Sequence, residues 1–270
     1  MKYQMGRIFP ERDSENLVIC VPGIGNKKPF SVLMTDTVPD LGFISACQCF
    51  PRWRYEIVDS ELERMDNISD TALRAFHKRY CDDTITKDAI FNYVYGILHA
   101  PSYRKQFAND LSKELPRIPF APDFHTFAEA GAKLAKLHLD YETGEEYEGI
   151  EVHPVRPNLF SQEFLETPEN YHLGIKAMRF EGMQKLYIND KIYIDGIPEA
   201  AHEYIVNDRT PLEWFINRYK IVEDKGIKND PNDWFENPRD IVAVIKRIIY
   251  MSVESTRVID ELKPLRLQED

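Results

Sequence analysis

The spacing of apolar residues changes several times along this chain. Near the start they come in short runs: Leu17-Val-Ile-Cys-Val21, Phe30 to Thr35, and Phe43-Ile-Ser-Ala-Cys-Gln-Cys-Phe50. Pro22-Gly23-Ile24-Gly25-Asn26 closes the first run and Pro51 the third, so the pattern predicts three strands. Their connections are short, which suits antiparallel pairing, because a parallel crossover needs a dozen or more residues.

The spacing then becomes helical. Thr86 is placed to cap a helix from Lys87 to about His99, with Pro101 stopping it. Ser102 can cap a second helix, in which Tyr103, Phe107, Leu111 and Leu115 recur every four residues. Pro116, Pro119 and Pro122 interrupt the pattern, and Phe124 to Leu139 resumes it. Residues 140–170 are acidic and poorly periodic and read as a surface connection or insertion. Leu186-Tyr-Ile-Asn-Asp-Lys-Ile-Tyr-Ile194 is a hairpin signal, with Asn189-Asp190 as a two-residue turn of positive φ. Asn237-Pro238 starts the last helix, whose stripe is Ile241, Ile245, Ile248, Ser252, Thr256 and Ile259, with Pro264 beyond its end.

The expected fold class is therefore α+β, antiparallel strands plus helical hairpins, in a single large domain able to divide into two lobes. Its parts are a strand-rich segment 1–60, a helical segment 69–139, an acidic connection 140–170 and a hairpin-plus-helix segment 171–270. No internal repeat or low-complexity tract is present.

Composition narrows the setting. The 270 residues, 43% hydrophobic and 29% charged, suffice for a packed core. No apolar run reaches membrane-spanning length and the start lacks a signal peptide's pattern, so a cytoplasmic location without a membrane partner is expected. Cys20, Cys47, Cys49 and Cys81 fit a reducing compartment. Cys47-Gln-Cys49 without a second pair is a poor zinc frame, so no metal is expected. The net charge of -11 argues against tight non-specific DNA binding, but residues 121–170, with 11 acidic and 3 basic side chains, supply most of it. The flanks are near neutral and can hold a local basic patch.

Catalytic motifs mostly fail. Gly23-Ile-Gly25 follows a strand, but lacks the third glycine and the helix of a dinucleotide loop. There is no Walker A sequence and no GxSxG, and the seven histidines lack metal-ligand spacing. Glu223-Asp-Lys225 has the acid-x-Lys form of some metal-dependent nucleases. Its acidic partners, Asp40 and Asp123, are far off in sequence, and such triplets arise by chance among 45 acidic residues.

Binding features are more specific. Phe50-Pro-Arg-Trp-Arg-Tyr55 interleaves Arg52 and Arg54 with aromatics, which suits phosphate contact and stacking. The plain alternative is a strand end with Trp53 and Tyr55 in the core and both arginines facing water. Lys27 and Lys28 lie in a glycine-containing loop that can meet phosphate or be a solvated turn. In Lys220-Ile-Val-Glu-Asp-Lys-Gly-Ile-Lys-Asn-Asp-Pro-Asn-Asp-Trp234, the side chains of Lys225, Lys228, Asn229 and Asn232 carry groups that read bases and phosphates. The alternative there is a polar loop turning at Asn229-Asp230-Pro231.

Several segments together resemble the C-terminal specificity domain of Type ISP restriction–modification enzymes. They are NLVICVPGIGNKKPFSVLMTDTVPDLGFISACQCFP, DAIFNYVYGILHAPSYRKQFANDLSKELPRIPF and PLEWFINRYKIVEDKGIKNDPNDW with the following Ser252-Val-Glu-Ser-Thr256, in the family's order. Residues 140–180 carry no clear match. The resemblance implies the target-recognition part of a long polypeptide that also holds a nuclease, a helicase-like ATPase, a coupler and an adenine methyltransferase. It implies double-stranded DNA as partner, with the upstream methyltransferase and coupler domains. S-adenosylmethionine, ATP and magnesium belong to those other domains, so this chain is expected to be non-catalytic and without a cofactor. The Asn-Pro-Pro-aromatic motif of the methyltransferase is absent from it. No base-contacting residue follows from the resemblance; Lys27, Lys28, Arg52, Arg54, Lys225, Lys228 and Asn229 are candidates on chemistry alone. Two rival readings stay open: a docking module without DNA preference, and a cryptic metal-dependent nuclease using Glu223 and Lys225.

Overall fold

The computed structural model describes residues 2–40, 42–157, 160–224, 226–262 and 264–265. The chain divides into two compact units, residues 1–139 with 257–270, and residues 140–256.

The first unit begins with α1 (Lys2–Ile8). Three strands follow, β1 (Val18–Val21), β2 (Leu33–Thr35) and β3 (Gln48–Pro51), all antiparallel in the order β2-β1-β3. β1 is buried at every position, as its β-branched run requires of a central strand. The third strand starts later than the apolar run does. Residues 42–47 form a turn, with Ser45 and Ala46 in the left-handed region (φ 38° and 54°). Beyond β3 comes a two-stranded ribbon, β4 (Trp53–Val58) and β5 (Glu61–Asp66), closed by Asp59 and Ser60, both at positive φ. This ribbon is not legible as a hairpin in the sequence, because every residue of β5 faces solvent and the strand has no apolar alternation.

Helices α2 (Asp70–Tyr80), α3 (Lys87–His99), α4 (Pro101–Gln106), α5 (Ala108–Leu111) and α6 (Phe124–Leu139) complete this unit. Ser69 caps α2 and Thr86 caps α3, each accepting from a backbone amide three residues on. Pro101 both ends α3 and occupies the first turn of α4. Ser102 does not cap that helix; its hydroxyl accepts the Leu265 amide (2.9 Å). The four-residue stripe is broken at Phe107, and Leu115 is 40% exposed, so one expected helix is two short ones. Tyr93 pins the proline segment by donating to the Pro119 carbonyl (2.7 Å) and accepting the Ala121 amide (2.6 Å). Phe76, Tyr80, Tyr93 and Phe124 pack as an aromatic cluster around that anchor.

The second unit is built on a sheet of order β6-β9-β8-β7, with β6 (Glu151–Pro154), β7 (Arg179–Glu181), β8 (Lys185–Tyr187) and β9 (Ile192–Asp195) all antiparallel. The acidic segment 140–170 therefore supplies an edge strand and the short helix α7 (Ser161–Glu166), not only a connection. Leu186, Ile192 and Ile194 face a core shared with Leu212 and Phe215 of α8 (Pro211–Arg218). Ile241, Ile245, Ile248 and Ile249 of α9 (Asp240–Asp260) close it. A full capping box at Thr210 and Glu213 starts α8. The hairpin turn differs from expectation: neither Asn189 nor Asp190 has positive φ. The pairing of Tyr187 with Tyr193 leaves a wider loop, which the buried Asn189 holds by accepting the Lys191 and Ile192 amides (both 2.8 Å). Between α8 and α9 lies a second ribbon, β10 (Val222–Asp224) and β11 (Ile227–Asn229), followed by a 3-10 turn at Pro231–Trp234. No helix among the described residues is long and apolar enough to cross a membrane.

Candidate nucleic-acid interface

The arginines of Arg52-Trp53-Arg54 have separate fates. Arg52 is buried, its guanidinium bonded to Asp66 (2.7 Å) and Asp88 (2.5 Å) and lying 3.7 Å from the centre of the Trp53 ring. Arg64 covers Trp53 as well, at 4.5 Å, so the indole meets two guanidinium groups. The plain alternative, aromatics inside and both arginines facing water, thus fails at Arg52, and so does free phosphate contact. The reason is local: strand pairing puts Asp66 beside it, and the first turn of α3 brings Asp88. Lys87 completes the cluster on Asp66 (2.8 Å) and Asp70 (2.7 Å). Burial raises the Asp66 carboxyl, but hydrogen bonds from Lys87 and Arg52 outweigh it and hold the group below the usual carboxylate range.

Arg54 faces solvent and meets Glu56 at 3.2 Å, where Arg7 also bonds (2.7 Å). An exposed pair of this kind contributes about 1 kcal/mol or less, so Arg54 can exchange Glu56 for a phosphate at little cost. The two arginines therefore separate experimentally. Arg52→Ala is expected to lower the urea midpoint by the equivalent of about 2 kcal/mol, since it uncouples two carboxylates that remain partly solvated. Arg54→Ala should leave the midpoint within about 0.5 kcal/mol of the parent. Equal losses would mean that the Arg52 cluster is not a structural clamp.

Lys27 and Lys28 are exposed on the loop after β1. That loop is shaped from below: Gly23 packs on the Ala46 carbonyl, its amide donates to the Ser45 carbonyl (3.3 Å), and the Gly25 amide donates to Ser112 (3.1 Å). Gly25 has φ 81° and Asn26 Oδ1 accepts the Lys28 amide, so the loop has a fixed backbone beneath its two lysines.

In the second unit, Lys228 and Asn229 are exposed on β11, and Lys225 lies outside the described residues. Lys228 pairs with Asp230 (2.7 Å), whose carboxyl is held below its ordinary range by that ammonium. Asn232 is not a free reading group. Its side chain accepts the Leu173 amide (2.7 Å) and donates to the Leu173 carbonyl (3.1 Å), clamping the end of the ribbon to the 173–178 loop. That loop presents Ile175, 94% exposed, beside Lys176. Trp234, 45% exposed, ends the 231–234 turn and stands edge-on to Tyr219. Ile175, Lys176 and Trp234 were not among the residues singled out from sequence; a lone apolar residue between Gly174 and Lys176 is the one signal the sequence holds.

A third feature was also missed. On the outward face of the four-stranded sheet, Arg179, Tyr187, Tyr193 and His153 are direct cross-strand partners and form one row across all four strands. Arg179 lies 4.2 Å over Tyr187, and the Tyr187–Tyr193 and Tyr193–His153 ring centres are 5.3 and 5.2 Å apart. Such pairs stabilise a sheet by about 0.2–1 kcal/mol each, and the half-buried rings leave a flat surface open. Glu151, Glu181 and Asp195 surround it, so it lacks the net positive field of a phosphate track.

Comparison with known proteins shows the family. The model of the Type ISP C-terminal specificity domain matches residues 1–244. The chain belongs to that family. A nuclease-deletion mutant of the Type ISP restriction-modification enzyme LlaGI, solved with a DNA substrate mimic, is similar over 98% of the chain, with TM-score 0.79 and 34% identity. The ATP-dependent Type ISP enzyme LlaBIII bound to DNA is similar over 99%, with TM-score 0.84 and 30% identity. The DrdV–DNA complex is similar over 97%, with TM-score 0.82 and 32% identity. The specificity domain spans 19%, 17% and 26% of those three chains, so they are far longer than it is. No curated protein sequence matches it.

Proposed function

We propose that this specificity domain recognises a double-stranded DNA target and positions it for an adenine methyltransferase and a coupled ATPase and nuclease in the same polypeptide. The observation that carries the reading is the match of nearly the whole chain to three structures solved with DNA or a DNA substrate mimic, two of them of Type ISP enzymes, at TM-scores of 0.79 to 0.84. By itself the domain is non-catalytic and needs no cofactor. S-adenosylmethionine, ATP and magnesium serve the other domains.

Charge shapes how it reads DNA. Residues 140–256 carry 23 acidic and 13 basic side chains, so the second unit works by a few directed contacts and not by its overall field. The exposed Lys228 and Asn229, with Lys176, Ile175 and Trp234, supply cationic, amide and apolar groups of the kinds that meet phosphates, base edges and thymine methyls. In the first unit Lys27, Lys28 and Arg54 supply register on the phosphates. Arg52 is left out of the contact set, because its guanidinium is buried against Asp66 and Asp88. A docking role accompanies this reading. Ile57, 78% exposed, and its cross-strand partner Leu62 form an apolar tip on the first ribbon, which suits contact with the methyltransferase or coupler.

Selection from a random-sequence duplex pool at low salt tests the reading. The expected result is a short enriched motif, lost when Lys228 and Asn229 are both changed to alanine. Arg54→Ala should weaken binding to every sequence alike and reduce the log–log salt slope by about 1. Binding without enrichment, with or without the methyltransferase part attached, would overturn target recognition.

A further inference from the structure

We propose that Cys20, Cys47 and Cys49 form a binding site for a thiophilic d10 cation of the zinc class. The sequence shows only the Cys47–Cys49 pair, because Cys20 is distant along the chain. Antiparallel pairing of β1 with β3 sets Cys20 directly opposite Cys49. The left-handed turn at Ser45 and Ala46 swings Cys47 to the same point. The Cys20–Cys49 sulfurs are 4.0 Å apart and the Cys47–Cys49 sulfurs 3.9 Å, with all three within 4.8 Å of one another.

Zinc–sulfur bonds of about 2.3 Å in a tetrahedral centre place neighbouring sulfurs about 3.8 Å apart. Two of the three sulfur pairs already hold nearly that spacing and the third lies within 4.8 Å, so an ion could enter with little backbone movement. A disulfide would need a sulfur–sulfur distance of about 2.05 Å and would use only two of the three. The surroundings choose the kind of ion. Ile8, Val18 and Ile44 wall the cluster, with Met5, Phe9 and Leu33 partly buried against it. Among the described residues the convergent ligand set contains only sulfur. Nothing there suits magnesium or calcium, which require several oxygens, whereas thiolates select zinc, cadmium or copper(I). Cys20 and Cys47 are buried while Cys49 is half-exposed, so Cys49 marks the entry side and the place for a fourth, solvent-derived ligand. Each thiol that ligates releases its proton to water. A bound ion would tie β1, β3 and the 42–47 turn together, beneath the loop that carries Lys27 and Lys28.

The test uses the full chain, reduced, stripped with chelator, equilibrated with Zn2+ and desalted, with zinc measured by elemental mass spectrometry. The expected result is one zinc per chain, with the exposed Cys81 as the thiol still open to a chromogenic thiol reagent. Cys81→Ser should keep the zinc. Cys49→Ser should weaken binding at least about tenfold with an unchanged circular dichroism spectrum, and should diminish the near-ultraviolet thiolate band of the Cd2+ form. Cys20→Ser and Cys47→Ser change buried positions, so Cys49→Ser keeps the test valid if those variants do not fold. Zinc retention no greater in the parent than in Cys49→Ser would overturn the proposal, as would a Cys20–Cys49 disulfide in chain that takes up no zinc after reduction.

Discussion

Gly131→Ala is expected to destabilise the first unit by about 3 kcal/mol or more, a large share of the 5–15 kcal/mol typical of a folded domain. Helix propensity alone gives the opposite sign, because alanine is favoured over glycine in a helix interior by about 1 kcal/mol. Packing decides the matter. Gly131 on α6 and Gly96 on α3 face each other where the two helices cross, and each stands against the other helix's backbone. A Cβ at 131 would overlap the Asn92 carbonyl, and a Cβ at 96 would overlap the Phe127 carbonyl. A flexible side chain could yield to such a clash, but a hydrogen-bonded helix backbone cannot without separating the helices. Separation would in turn open the core that Tyr93, Tyr95, Phe124, Phe127 and Leu134 fill. Urea unfolding should therefore show a much lower midpoint for Gly131→Ala, and for Gly96→Ala, at similar m-value. A neutral or stabilising result at either position would mean that the helices do not cross this closely.

The two glycines illustrate what could be read from the sequence. The helices around them were legible, since Thr86, Pro101 and the apolar period delimit α3 and the period alone delimits α6. Their crossing was not, because an interior glycine looks the same whether it is a defect or a contact point. The same division holds elsewhere. β1 was legible as a β-branched run, whereas β5, β10 and β11 are short polar strands held by their partners and left no periodic trace. For the candidate interface, local chemistry pointed to Arg52 and Arg54 together, but only the fold sets Arg52 between Asp66 and Asp88. The Arg179–Tyr187–Tyr193–His153 row and the three-cysteine cluster depend on strand register between distant segments, which a single sequence does not encode in its spacing.

Acidification is expected to destabilise the first unit well before its carboxylates titrate. His99 and His138 lie buried against Tyr95 in the core of α3 and α6. His99 Nδ1 donates to the Tyr95 carbonyl (2.9 Å), and the Tyr95 hydroxyl meets His138 Nδ1 (2.6 Å), an arrangement that neutral imidazoles satisfy. Burial, reinforced by the nearby Arg104 charge, pushes both rings below the ordinary 6.5, His138 to about 3 and His99 also well down. The unfolded chain takes up these protons near pH 6.5 while the folded chain refuses them. Stability is thus full above about pH 6.5 and falls below it, by about 1.4 kcal/mol per pH unit for His138, with His99 adding to the fall. At pH 5 His138 alone should have removed about 2 kcal/mol, and His99 adds to the loss in the same direction. Carboxylates with depressed values add to the loss only at lower pH; Asp82, held to about 2 chiefly by the Thr84 hydroxyl, is one. Urea midpoints between about pH 7.5 and pH 5 measure the slope directly. His138→Gln keeps an acceptor for the Tyr95 hydroxyl but cannot gain a proton, so it should lower the slope by about 1.4 kcal/mol per pH unit. An unchanged slope in that variant would remove His138 as a source of the acid sensitivity.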